Sequence, residues 1–225
     1  MIRYNTSRIS KIDQALLDAK TFEETDLLIK NGANVNVKDW DYNTTLMNAY
    51  TDEQTEFLIK VGVEVNAKNN RGSTALMRSD TAEQTRLLID FGADVNSPDI
   101  YGQTALMFAK TAEQTKLLIE AGANVNATGY FGITALICSK TADQTKLLIE
   151  AGADVNAKMR NGITALMMAD DEQTLLLIDA GAEGGRAEGG RANVNATDDQ
   201  GRNALRFSKC LEQSNILIAK SIKKE

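Results

Sequence analysis

The amino-acid sequence predicts an all-α fold, a solenoid of seven stacked helix-turn-helix repeats. The stretch from Thr104 to Ala127 reads TALMFAKTAEQTKLLIEAGANVNA, and close copies of it stand 30 residues earlier and 30 residues later. A fixed period of this length is typical of solenoids, in which each unit packs only on its neighbours. The Leu-Leu-Ile core of the stretch returns in register seven times, beginning at Leu27, Phe57, Leu87, Leu117, Leu147, Leu176 and Ile216.

The whole chain, residues 1–225, is predicted to form a single repeat domain. The first and last repeats differ most from the others, as expected of terminal units that present a polar outer face. The predicted repeats span about 9–42, 43–72, 73–102, 103–132, 133–162, 163–201 and 202–225.

Each repeat is predicted to begin with a short first helix, which is TALMFAK in the fourth repeat. Thr104 stands where an N-cap belongs, since its hydroxyl can accept from a backbone N–H of the first turn. Leu106, Met107 and Ala109 offer small and medium apolar groups for close packing.

The start of the second helix carries a capping box, a Thr followed three residues later by Gln or Glu. We expect the Thr111 hydroxyl to accept from the backbone N–H of Gln114, and the Gln114 side chain to reach back. In the sixth repeat one residue is missing, so Asp170 or Asp171 is expected to cap; in the seventh, Cys210 replaces the Thr and weakens the helix start by roughly 1 kcal/mol. The same pair recurs at Thr21/Glu24, Thr51/Gln54, Thr81/Gln84 and Thr141/Gln144.

The second helix is predicted to end at Gly122, because glycine just past a helix is the usual left-handed cap. Glu113, Lys116 and Glu120 lie three or four residues apart and are predicted to form a solvated outer stripe.

The half-repeat LLIEAGANVNA, which begins at Leu117, resembles the ankyrin repeat family, and the resemblance covers nearly the whole chain. It implies that the segment after Gly122 is an extended, hairpin-like finger with a β-turn at its tip. Tyr42 replaces glycine at the end of the turn in the first finger, so that finger is expected to be distorted. In the other fingers a positive φ is expected at Gly72, Gly102, Gly132, Gly162 and Gly201.

Two features depart from the family pattern. The repeats begin Thr-Ala-Leu-Met instead of Thr-Pro-Leu-His, a variant that is similar to bacterial ankyrin arrays. They are also 30 residues long where the family has about 33, with the shortening between the two helices.

Composition argues against most catalytic chemistry. The chain has no histidine, which removes the commonest general base and the commonest metal ligand. We therefore expect no enzymatic activity, catalytic residue, metal site or cofactor. The net charge of −6 argues against nucleic acid, because a phosphate backbone needs a basic surface, and it favours a protein partner with a neutral or basic face.

A cytoplasmic location is expected. No apolar run approaches the ~20 residues needed to cross a bilayer, and the N-terminal sequence lacks the apolar stretch of a secretory signal. Cys138 and Cys210 stand in unrelated contexts and are predicted to be reduced thiols.

A glycine-rich insert, EGGRAEGGRA at 183–192, interrupts the period. It is predicted to be a flexible surface loop, since long loops cost little closure entropy. The doubled pentapeptide points either to gene slippage or to deliberate insertion. A tolerated loop without a role and a binding or regulatory role for Arg186 and Arg191 both remain open.

Equivalent positions of consecutive repeats form columns, and a column whose residue varies is not needed for packing between repeats. Such columns can carry binding specificity. In ankyrin proteins the finger tips and first helices line the concave, partner-binding face, and large apolar residues collect at those positions here. Exposed aromatic residues are characteristic of interfaces; folding back onto a neighbouring finger is the alternative. The predicted partner-binding residues are Trp40, Tyr42, Tyr50, Arg71, Arg78, Ile100, Tyr101, Phe108, Lys110, Tyr130, Phe131 and Lys140.

The resemblance thus implies a monomeric, non-enzymatic protein–protein interaction module that binds a protein partner on its concave face. A bacterial cytosolic inhibitor of the immunity-protein type fits this description. A secreted effector that binds host proteins and a passive scaffold fit it as well.

Overall fold

The computed structural model describes residues 9–180, 193–208 and 211–222. Across these residues the chain forms thirteen α-helices and two 3-10 helices, with extended structure limited to two isolated antiparallel bridges. The predicted all-α fold class is confirmed. The chain divides into two compact units, Met1–Ile100 and Tyr101–Glu225.

In the first unit, helices that are close in the sequence pack on each other. Leu16 and Leu58 are fully buried there, and Leu16 joins Leu17, Ala33 and Val37 in a core cluster at the start of the chain. Second helix α2 packs on α1 and on α3, and α3 packs on α5. The elements of this unit are α1 (Lys11–Asp18), α2 (Phe22–Lys30), a 3-10 turn (Leu46–Asn48), α3 (Asp52–Lys60), α4 (Ala75–Arg78) and α5 (Ala82–Asp90).

The second unit shows the stacking most plainly, because its first helices and its second helices form two parallel rows. First helices α6, α8, α10 and α12 pack in that order, and second helices α7, α9, α11 and α13 do the same. Each of these first helices is a single turn. The elements are α6 (Ala105–Phe108), α7 (Ala112–Glu120), a 3-10 turn (Tyr130–Gly132), α8 (Ala135–Cys138), α9 (Ala142–Glu150), α10 (Ala165–Met168), α11 (Asp171–Asp179), α12 (Ala204–Phe207) and α13 (Leu211–Ile222).

The predicted second-helix caps are confirmed. A threonine hydroxyl accepts from the backbone N–H three residues on at the start of α2, α3, α5, α7 and α9. In α11 the cap is Asp170, whose carboxylate accepts from the N–H of Gln173 at 2.9 Å. The Cys210 start and the 183–192 insert lie outside the described residues.

The return contact of the box reaches one residue beyond the Thr cap. The Gln144 side chain accepts from the N–H of Lys140 at 3.1 Å, one residue before the Thr cap, and Gln54, Gln84 and Gln114 do the same in their repeats. Among the second-helix starts that the structure describes, α11 alone, with its shorter connection, has the full box, in which the N–H of Asp170 itself donates to the Gln173 side chain at 3.0 Å.

The same glutamines connect consecutive helix pairs. Gln144 is buried, and its Nε2 donates to the Ala109 carbonyl at 3.1 Å and to the Thr115 hydroxyl at 3.2 Å. Gln54, Gln84, Gln173 and Gln213 make the corresponding bonds to the preceding pair. Because buried amides need partners for all their polar atoms, this column fixes the register of the stack.

The second helices end as predicted. At the end of α7, Gly122 has φ 87° and its N–H donates to Ile119, while Ala123 donates to Leu118. This pair of bonds is the Schellman motif, which requires a left-handed residue and so favours glycine.

The finger at Tyr42 keeps the turn of the next finger, and the expected distortion at Tyr42 is wrong. The N–H of Tyr42 donates to Asp39 at 3.0 Å, as Gly72 donates to Asn69 at 2.8 Å in the next finger. The Asp39 carboxylate also accepts from Asp41 and Asn43. These bonds hold the backbone in the common turn, so Tyr42 takes the left-handed φ of 62° that glycine has elsewhere.

The finger that does depart from the pattern is the one around Phe131. It closes as a 3-10 turn over Tyr130–Gly132, and Phe131 has φ 64° immediately before Gly132 at φ 77°. Among the described residues, Tyr42 and Phe131 are the two non-glycine residues with positive φ.

Candidate protein-interaction surface

In the first unit, backbone hydrogen bonds join the finger tips. The Asp41 carbonyl accepts from Asn70 N–H and the Arg71 carbonyl accepts from Ile100 N–H, both at 2.9 Å. Trp40, Asn70 and Ile100 therefore occupy the same position of three consecutive fingers. The predicted site residues of this unit are all exposed, namely Trp40, Tyr42, Tyr50, Arg71, Arg78 and Ile100.

Two of these six side chains also have partners inside the unit. The Arg78 guanidinium donates to the Asn43 side chain at 2.9 Å, which links first helix α4 to the finger that contains Tyr42, one repeat before the finger that leads into α4. The Lys20 ammonium lies 5.8 Å from the centre of the Tyr50 ring, a cation–π arrangement. The contact of Arg78 shows that the outward position of the first helix adjoins the fingers.

In the second unit the tip bonds continue between its own fingers. The Tyr101 carbonyl accepts from Tyr130 N–H at 2.5 Å, and the Phe131 carbonyl accepts from Arg160 N–H at 2.6 Å. The rings of Tyr130 and Phe131 meet edge to face with centroids 4.3 Å apart, which is a contact within one finger and not with a neighbouring finger. The predicted site residues of this unit are also exposed, namely Tyr101, Phe108, Lys110, Tyr130, Phe131 and Lys140.

Two further exposed residues stand in the same columns and are absent from the predicted set. Arg160 occupies the tip position of Tyr130 in the next finger, and Met168 occupies the last position of α10, as Phe108 does in α6. Met168 is 52% exposed, more than Phe108 at 37%. Column position was the signal that could have found both.

Cys138 ends α8 on the same row, half-buried and with a free thiol. Burial raises the pKa of the Cys138 thiol, and the nearby Lys140 ammonium opposes that rise only in part. The thiol is therefore protonated at neutral pH, which argues against a nucleophilic role.

The other pKa shifts of buried or bonded carboxylates belong to the framework. Burial raises the pKa of Asp198, but hydrogen bonds from the Arg202 side chain and from the backbone N–H groups of Arg202 and Gln200 outweigh it and leave the pKa lowered. The pKa of Asp13 is lowered by hydrogen bonds from the Ser10 hydroxyl and the Asn34 N–H. Both carboxylates close turns or caps.

Within the described ranges, no group of three or more His, Cys, Asp or Glu side chains could hold a metal ion. None of the helices in those ranges is both long enough and apolar enough to span a membrane.

A comparison with protein families finds a match to a model of three ankyrin repeats over residues 47–129. These residues are ankyrin repeats. The match includes the helix pairs from α3 to α7 and two complete fingers, and helix pairs and finger turns of similar form occur on both sides of it. No curated protein matches the chain. Ankyrin repeats are in general non-enzymatic modules of protein–protein interaction.

Proposed function

We propose that the chain is a non-enzymatic module that binds a protein partner through its finger tips and first helices. One observation carries the proposal. Tyr42 and Phe131 are held at positive φ while 55% and 53% of each residue remains exposed. A left-handed non-glycine residue costs about 1–3 kcal/mol, and side chains this exposed recover little of that cost within the fold.

Rigid presentation supports the same function. The bonds between fingers and the buried glutamine column hold the exposed side chains in place before any partner arrives. Little loop or backbone entropy then remains to be lost on binding, so more of the contact energy appears as affinity.

Within this function, a bacterial cytosolic inhibitor of the immunity-protein type is the role we favour, acting as a monomer on a cognate enzyme. An inhibitor predicts a tight complex of one copy with one partner. A secreted effector predicts that the partner is a host protein, and a passive scaffold predicts weaker binding that tolerates substitutions at the tips.

The proposal is tested by capture of partners from a native lysate. Wild-type protein is compared with the variant Tyr101→Ala/Tyr130→Ala/Phe131→Ala and with the control Leu175→Ala, which removes an exposed apolar side chain from second helix α11. We expect a protein that wild type and the control retain and the triple variant loses. Circular dichroism of all three proteins checks that folding is intact.

If the triple variant is folded and still captures the same proteins, the tips are not the binding site. The identity of a retained partner decides between the three roles, because an enzyme, a host protein and an assembly component are different outcomes.

A further inference from the structure

An apolar row runs along the first helices of the second unit. Phe108, Cys138 and Met168 occupy the last position of α6, α8 and α10, which pack in that order. Phe108 and Met168 are exposed, whereas Cys138, on the helix between theirs, is half-buried. In the fingers of the same unit, the Tyr130 and Phe131 rings meet and are both more than half exposed.

Cations stand beside these apolar groups. Lys140 follows the last residue of α8 by two residues, as Lys110 follows the last residue of α6. The N–H of Arg160 is bonded to the Phe131 carbonyl at 2.6 Å, which places this residue at the tip next to the aromatic pair. The Lys140 and Arg160 side chains are exposed. Two carboxylates stand in the same columns. Asp170 follows Met168 by two residues and caps α11 by accepting from the N–H of Gln173, and Asp199 stands at the tip of the next finger.

The second helices of this unit have the opposite charge. In α7, α9 and α11, seven carboxylates accompany two lysines, Lys116 and Lys146. The first helices and fingers of this unit therefore carry apolar and charged groups together, whereas its second helices carry an excess of negative charge. A basic partner would be drawn to the second helices, whereas an acidic one would be repelled there.

We infer that the surface formed by Phe108, Tyr130, Phe131, Lys140, Arg160 and Met168 takes an acidic protein segment that carries aromatic or aliphatic side chains. The apolar side chains of the segment would pack on the first-helix row and the aromatic pair, while its carboxylates would pair with Lys140 and Arg160. This inference rests on the proposed function and adds the chemistry of the partner.

The test is a selection from a library of random peptides displayed on phage, with the full chain as bait. Enriched peptides are synthesised, and their affinities for three variants are measured by fluorescence anisotropy at low and high salt. The first variant is Lys140→Glu/Arg160→Glu and the second is Tyr130→Ala/Phe131→Ala. The control, Lys116→Glu/Lys146→Glu, also reverses two positive charges, but on the second helices.

We expect peptides rich in Asp and Glu together with aromatic or aliphatic residues. The Lys140→Glu/Arg160→Glu variant should bind them at least about tenfold more weakly at low salt, with a smaller difference at high salt, and the control should bind like wild type. Circular dichroism and thermal melting establish that each variant is folded.

Neutral or basic peptides, no enriched peptide, or equal losses in the control and in Lys140→Glu/Arg160→Glu would overturn the inference. A different result would overturn the proposed function. If binding depends on Tyr130 and Phe131 but not on charge, only the acidic partner is wrong; if it depends on neither, the surface itself is wrong.

Discussion

Tyr42 and Phe131 show how a single residue can oppose local preference without changing the fold. At Tyr42 the sequence suggested a distorted finger, because an aromatic residue replaces a glycine that needs positive φ. The finger instead keeps its turn, since the bond from Tyr42 to Asp39 and the bonds accepted by the Asp39 carboxylate fix the backbone. Tyr42 therefore adopts the unfavourable positive φ, and the turn is unchanged. Local sequence could show that a conflict existed but not which side of it would yield.

Replacing Tyr42 with glycine tests this strain. We expect Tyr42→Gly to raise the free energy of unfolding by about 1 kcal/mol, because relief of the left-handed strain exceeds the extra entropy of glycine in the unfolded chain. Chemical denaturation measures the change. Trp40→Gly is the control, since Trp40 lies in the same finger without positive φ, and it should destabilise by about 0.5–1 kcal/mol. Destabilisation by Tyr42→Gly would show that the ring makes contacts worth more than the strain.

At the scale of the element, the second-helix starts separate what sequence predicts from what it misses. The Thr caps were predictable because both partners lie within three residues of each other. The bonds that Gln144 makes to Ala109 and Thr115 were not, because those partners are 35 and 29 residues away and nothing in the motif distinguishes a cap from a bridge between repeats. Burial is what distinguishes the two roles: Gln144 is polar and lies at a helix start, yet it is buried, because it bonds both its own helix start and the preceding repeat.

Removing one of these bridges should be costly. Gln144→Ala leaves a backbone N–H, a carbonyl and a hydroxyl without their partner in a buried site, so we expect a loss of about 2–4 kcal/mol. The exposed Gln200→Ala is the control and should change stability by less than about 0.5 kcal/mol. The measurement is equilibrium denaturation of each variant.

A double-mutant cycle with Thr115→Val identifies the bond itself. The two losses should be less than additive, because each substitution removes the same Gln144–Thr115 contact. Full additivity would mean that the destabilisation comes from elsewhere.

Two framework carboxylates make stability depend on acid. The pKa values of Asp13 and Asp198 are lowered in the folded chain from an ordinary 3.8, so the unfolded chain binds protons more readily. The stability they contribute is therefore present above about pH 4 and is lost as the pH falls through the lower, folded-state values. Acid titration of the free energy of unfolding should show this decline.

Asp13→Asn/Asp198→Asn should flatten the acid-dependent decline and lower stability at neutral pH. A control, Asp143→Asn, changes an exposed carboxylate of α9 and should leave the decline in place. An unchanged acid profile in the double variant would show that other groups carry the dependence.

At the scale of the whole molecule, positions that repeat build the framework and positions that vary carry the exposed apolar and charged groups. The 30-residue period was sufficient to predict the helix pairs, and the columns were sufficient to find exposed positions. The partners of Arg78 and Tyr50 inside the fold were not predictable, since they depend on how Asn43 and Lys20 approach across repeats. The period predicts the contacts that every repeat makes, and it cannot predict a contact that only one repeat makes.

The proposed function requires that a partner meets the finger tips and not the second helices. Site-specific photo-crosslinking tests it directly: a photoreactive phenylalanine derivative replaces either Tyr130 at a tip or Leu175 on α11, and each protein is irradiated in a native lysate. We predict one predominant crosslinked protein from position 130 and none above background from position 175. The same adduct in equal yield from both positions, or from position 175 alone, would contradict the account.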